Sequence, residues 1–169
     1  MTRTLVHTGR KIRVYLDVEP GPDGVPLRRD VVIHPGAAVI LPLLDAGHVC
    51  LLRNPRFILN ETLWEIPAGT LEPDEAPEIA AVRELAEETG YQAKRWRKLG
   101  VFYPSPGVLS ERMHLFVAED LTPGPMQREA GEEMEPQVVA WDQALAWALD
   151  GTIRDAKTVM ALLLWERLR

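Results

Sequence analysis

Between Gly69 and Tyr91 the chain reads GTLEPDEAPEIAAVRELAEETGY, a 23-residue stretch spaced as G-x5-E-x7-R-E-L-x-E-E-x-G-Y. Its second half, Pro77 to Thr89, is rich in helix formers, and Ile79, Val82 and Ala86 recur at intervals of three and four, so the spacing predicts a helix with one apolar face. Glu84, Glu87 and Glu88 then project from one side as near neighbours. Like charges so placed destabilise a bare helix by roughly 0.2–0.5 kcal/mol per pair, and a hard divalent cation with oxygen ligands is the natural compensation. Arg83 lies four residues before Glu87 and is expected to pair with it, leaving Glu84 and Glu88 as the more direct metal ligands. Glu87 stays a further candidate, as ligand or as base. Gly90 stands where a helix ends in a left-handed residue.

Every defining position of this spacing is filled as in the Nudix hydrolases, which the chain resembles. The resemblance implies an α/β/α sandwich with a mixed sheet. It implies metal-dependent hydrolysis of a nucleoside diphosphate linked to another moiety, and Mg2+ as the cofactor with Mn2+ as a substitute. It also implies that the turn after Ile66-Pro67 aims the Ala68 carbonyl at the same metal.

Composition is consistent with this and excludes other classes. A chain of 169 residues with 46% hydrophobic content suits one globular domain. The net charge of -6 offers no basic stripe for a nucleic-acid polymer. The longest apolar stretch, Ala37 to Leu44, is too short for a membrane span and contains Pro42, and the start MTRTLVHTGRK lacks a signal-peptide core. A cytoplasmic location is therefore expected. The single cysteine, Cys50, lies in an apolar run and reads as a buried strand residue.

Pro20 to Pro26 is a turn between two apolar stretches, so Ile12 to Val18 and Arg29 to Ile33 are expected to form a hairpin. Further strands are expected over Ala37 to Leu44, Val49 to Arg53, into Ile66, over Lys98 to Tyr103, Met113 to Ala118 and Gln137 to Trp141. Two more helices are expected, over Gln143 to Leu149 capped by Asp142 and over Ala156 to Leu168 capped by Asp155. The organisation expected is an N-terminal β arm over residues 1–35 and a hydrolase domain over 36–169. The arm resembles the swapped arm of the ADP-ribose pyrophosphatase branch, which implies a homodimer.

Specificity must come from outside the helix. Ser105-Pro106-Gly107, followed by Ser110-Glu111-Arg112, sits 15 residues beyond Tyr91, as in that branch. Arg29 and Arg56 resemble its phosphate and ribose contacts, and Glu65 resembles the branch's glutamate near metal and substrate. An acidic loop from Arg128 to Glu135 falls where the branch keeps its general base. Glu132 is the first choice for that base and as a further metal ligand, with Glu133 the second. His7, His34, His48 and His114 show no ligand spacing and read as structural. Tyr15, on the hairpin, is a candidate for stacking on adenine across the subunit boundary of the implied dimer, with an exposed strand tyrosine as the other reading. The substrate expected is ADP-ribose, with another nucleotide sugar such as GDP-mannose as the alternative and a non-catalytic ADP-ribose sensor as a minor reading.

Overall fold

A computed structural model describes residues 1–125 and 133–169. Its centre is the pair β4 (Ala37–Asp45) and β9 (Met113–Pro123), which run parallel with Ala37 opposite Met113 and Pro42 opposite Ala118. Both strands are apolar on both faces because both faces are covered, as a central strand between helix layers requires. Ala38 and Ile40 of β4 meet Ala80, Ala81 and Leu85 of α1 (Pro77–Thr89), together with Phe116 and Ala118. Val39, Leu41 and Leu43 point the other way, into a larger core with Leu51, Leu115 and Val117. That core is closed by Trp141 and Ala144 of α2 (Trp141–Asp150) and by Ala161, Leu162 and Trp165 of α3 (Ala156–Leu168).

The sheet has seven strands: β10 (Glu135–Ala140), β5 (His48–Arg56), β4, β9 and β8 (Tyr91–Phe102) in that order, with β6 (Glu61–Glu65) beside β5 and β7 (Ala68–Thr70) beside β4. Every pairing other than β4 with β9 is antiparallel. The expected mixed-sheet sandwich is what forms. Cys50 is fully buried, as expected, and burial pushes its thiol up to about 12.

Several local expectations need correction. The apolar face of α1 is not Ile79, Val82 and Ala86: Ile79 and Val82 are more than half exposed. The buried stripe is instead Ala81, Glu84, Leu85 and Glu88, because small residues are needed against the tightly packed β4 and the two carboxylates turn inward with them. Strand β8 (Tyr91–Phe102) begins directly at Tyr91, well before Lys98, since it is an edge strand whose outward residues are polar. Strand β10 (Glu135–Ala140) stops before Trp141, whose backbone N–H donates to the Gly47 carbonyl at 2.7 Å. Helix α2 therefore starts after Ala140 with no side-chain cap, and Asp142 lies inside its first turn, where the helix dipole favours an acid. Asp155 does cap α3, accepting from the Thr158 N–H at 3.0 Å.

At the N-terminus the expected hairpin gains a strand. β1 (Thr2–Thr8), β2 (Arg13–Glu19) and β3 (Leu27–Ile33) make a separate antiparallel sheet. β1 is exposed along its whole length and has no apolar alternation to betray it in sequence. The sheet joins the rest through β3, where Val32 N–H donates to the Val108 carbonyl at 2.8 Å and Ser110 N–H donates to the Val32 carbonyl at 2.9 Å.

Candidate active site

The loop that runs from β6 through Ile66-Pro67 into β7 brings the backbone against the buried face of α1. The Ala68 N–H donates to Glu88 Oε2 at 2.9 Å. Ile40 N–H takes the Pro67 carbonyl at 2.9 Å, and Ile66 N–H donates to Thr158 Oγ1 at 2.9 Å, so the turn is pinned from the sheet and from α3. Helix α1 ends as predicted, with Gly90 at φ 72° and its N–H on the Ala86 carbonyl.

Arg83 organises the acids. Its guanidinium donates to Glu75 at 2.9 and 3.0 Å, to Glu84 at 2.7 Å and to Glu87 at 2.9 Å. The expected pairing with Glu87 is present, and the spacing did not announce Glu75 and Glu84 as further partners. The hydrogen bond from Arg83 holds the Glu75 carboxyl below the usual range, and these carboxylates in turn raise Arg83. One guanidinium thus serves three carboxylates, with Glu88 beside them. Glu84 and Glu88 are buried, at 7% and 5% exposure. Arg56 also acts on Glu88 electrostatically, and a cluster of buried carboxylates of this kind is chemically suited to a hard divalent cation.

These acids line an open cleft of about 1230 Å3. Ala68, Gly69, Arg83, Glu84, Glu87, Glu88 and Glu133 all contribute to its lining. So do Arg10 and Lys11 of the β1–β2 turn and Arg13 at the start of β2, three cations the sequence did not single out. Sequence pattern had no way to show them, because the turn belongs to the arm and meets the cleft only through the fold. Among the described residues no three carboxylate, imidazole or thiol groups converge closely enough to hold an ion unaided.

Glu65 is 2% exposed, is not part of the cleft lining, and is held by three donors. Arg56 approaches it bidentately at 2.6 and 2.5 Å, and Lys157 Nζ donates at 2.6 Å. Burial opposes its ionisation, but the Arg56 and Lys157 contacts outweigh this and leave its pKa lowered. Lys157 also pairs with Asp155 at 3.0 Å. It is a residue the sequence reading missed, since 92 positions separate it from Glu65.

The other predicted site residues are distributed unevenly. Arg56 lines the cleft. Arg29 is exposed on β3, paired with Glu19, and is not part of the lining. Ser105, Pro106, Gly107 and Glu111 also lie outside the lining, although Glu111 faces His34 of the cleft wall at 3.8 Å. Tyr15 lies under the Arg3 guanidinium, 5.4 Å from the ring centre, and is not part of the lining of its own chain's cleft. Glu132, the first choice for general base, lies outside the described residues.

Comparison with known proteins agrees with this geometry. Residues 33–162 match the NUDIX domain family. The chain is 39% identical over 159 residues to an ADP-ribose pyrophosphatase of Bacillus subtilis, covering 93% of this chain and 86% of that protein. It is 37% identical over 136 residues to a GDP-mannose pyrophosphatase of Cronobacter sakazakii, covering 75% and 71%. The fold superposes on a crystal structure of an ADP compounds hydrolase with a TM-score of 0.87 at 24% identity, covering 99% of this chain and 91% of that one. With the glutamate-lined cleft and the 23-residue signature in place, the chain belongs to the Nudix family of hydrolases, enzymes that use divalent metal ions.

Proposed function

We propose that the protein hydrolyses the diphosphate of ADP-ribose to AMP and ribose 5-phosphate with Mg2+, for which Mn2+ substitutes. The observation that carries this reading is a single cleft lined both by the acids of α1 and by the arm cations Arg10, Lys11 and Arg13, a combination that fits a diphosphate together with a dication. The relationship to the Bacillus enzyme supports the choice of sugar nucleotide.

Glu84 and Glu88, with Glu87 and the Ala68 carbonyl, are the groups that would hold the metal, whose part is to polarise the diphosphate and stabilise developing charge. Glu132 or Glu133 takes the proton of the attacking water as its oxygen bonds to one phosphorus and the bridging P–O bond breaks; Glu132 is a further ligand in this reading. Arg56 and the arm cations orient the anion, and Glu65 holds Arg56 in place.

Arg29, Ser105 to Gly107 and Glu111 lie off the cleft of their own chain, so their substrate contacts belong to a homodimer in which one copy's arm reaches its partner. The exposed apolar residues Leu5, Val6, Val25 and Leu27 of the arm support that assembly. Sedimentation should give a dimer at micromolar concentration; an active monomer would refute this part. The proposed location is the cytoplasm, and among the described residues no helix is long and apolar enough to cross a membrane.

The test of substrate is direct. Purified protein with Mg2+ is incubated with ADP-ribose, ADP-glucose, GDP-mannose and NADH, and products are separated by chromatography. ADP-ribose should show the highest kcat/KM. A preference for GDP-mannose would install the second reading, which the Cronobacter relative favours.

A further inference from the structure

We infer that Phe57 and Asn54, at the β5–β6 end of the cleft, form the nucleobase subsite: the Phe57 ring stacks on the base and the Asn54 amide reads its hydrogen-bonding edge. This rests on the reading of the cleft as a nucleoside diphosphate site.

Phe57 is 91% exposed, an unusual position for a phenylalanine, yet it lines the cleft. Of the described lining residues it is the only one with a phenyl, phenol or indole ring. Its turn is built to hold it. Leu59 N–H donates to the Arg56 carbonyl at 3.0 Å, and Asn60 N–H donates to the Phe57 carbonyl at 3.2 Å. Asn60 closes the turn in the left-handed region at φ 52°, which Asn tolerates better than most residues. The turn starts from Arg56, itself clamped to the buried Glu65. The ring is thus presented at the cleft mouth from a fixed backbone.

Asn54 supplies an independent observation. It is 8% exposed and lines the same cleft, and its side-chain amide makes no hydrogen bond among the described residues. Its atoms are not among the buried unpartnered polar atoms, so the amide is open to the cleft, where a ligand edge can take the place of water. With two donors and two acceptor lone pairs, it matches the edge of a purine, which pairs a donor with an acceptor. The acidic wall and the arm cations account for the diphosphate, and neither offers a flat apolar surface for a base. Stacking on an aromatic ring supplies one, whatever the base.

The experiment compares the full-length wild type with Phe57→Ala, Phe57→Trp, Asn54→Leu and, as a control for the same exposed turn, Ile58→Ser. Ile58 is also exposed but does not line the cleft. Affinity for AMP is measured by calorimetry, so that base recognition is read apart from turnover, and KM and kcat are measured for ADP-ribose. Imidodiphosphate, which has no base, is the reference inhibitor. Phe57→Ala should weaken AMP binding and raise KM by about tenfold or more, the size that base stacking carries, with the loss falling on KM rather than kcat. Phe57→Trp should restore both. Imidodiphosphate inhibition should stay within twofold throughout, and Asn54→Leu should alter the preference between adenine and hypoxanthine diphosphate sugars. AMP affinity within twofold of wild type in Phe57→Ala, an equal loss in Ile58→Ser, or an equal loss for imidodiphosphate would overturn the assignment. So would failure of AMP to bind the wild type. If AMP binds through Phe57 while ADP-ribose is not cleaved, the subsite stands and the proposed substrate falls.

Discussion

The Glu84 carboxylate occupies the space that a side chain on Gly69 would need: a Cβ built there falls 1.8 Å from Glu84 Oε1. The glycine that opens the 23-residue signature is therefore a vacancy kept for the acid that sits in its second half. The obstructing atoms are the end of a flexible side chain, so Gly69→Ala can be accommodated by turning Glu84 away. The expected outcome is a near-normal Tm with kcat/KM lower by about 100-fold, the scale for a catalytic group misplaced by an ångström. Thermal melts and steady-state kinetics on the same preparation check both halves, and a large drop in Tm would mean that the glycine serves the fold instead.

Glu84 and Glu88 are buried among the carboxylates gathered around Arg83. Replacing either by Gln keeps the shape and removes the charge that a dication needs. Turnover should fall roughly 100- to 1000-fold, as for loss of one group that stabilises transition-state charge. Equilibrium dialysis with Mn2+ should show weaker metal binding in both variants. Near-normal metal-dependent activity in both would remove them as ligands.

Arg83 holds Glu75, Glu84 and Glu87 at once through a planar fork that a lysine cannot reproduce. Arg83→Lys keeps the charge and loses the geometry. A 10- to 100-fold loss of activity is expected, the usual effect of disturbing groups that orient metal ligands. Excess Mg2+ should recover part of it if the defect is in metal affinity. A variant as active as wild type across a Mg2+ titration would show that the fork is dispensable.

These relationships also mark what the sequence made legible. The signature announced the helix, the run Ala37 to Leu44 announced a strand, and the family resemblance announced the sandwich; that this strand is the central one follows from the fold, where a strand buried on both faces is apolar throughout. The same rule misled for α1. Amphipathic reading assumes that the buried face is the apolar one, and here the buried stripe includes two glutamates, so Ile79 and Val82 turned outward against expectation. Arg10, Lys11 and Arg13 were silent because charge in and beside a turn is the ordinary condition of turns; only the placement of the arm brings them into the cleft that Glu84 lines. Lys157 was silent for a different reason. Its partner Glu65 is on another element, and the helix cap at Asp155 that aims it carries no trace of that partner.

The buried group at Glu65 gives a prediction in pH. Its folded pKa is depressed below the ordinary 4.5, since Arg56 and Lys157 favour the carboxylate more than burial opposes it. A depressed carboxyl pKa contributes stability that is present above 4.5 and is lost as pH falls through the lower folded value. Urea midpoints should therefore fall as pH drops below 4.5. Glu65→Gln should flatten that part of the curve and lower the plateau above it. Lys157→Met tests the other side of the pair. It leaves Arg56 as the remaining cation on Glu65, so the loss at neutral pH should be on the order of 3 kcal/mol, the lower end for breaking a buried ion pair. The folded pKa of Glu65 should rise at the same time and move the acid transition to higher pH. An unchanged acid limb in Glu65→Gln, together with wild-type stability in Lys157→Met, would show that the pair does not hold the fold.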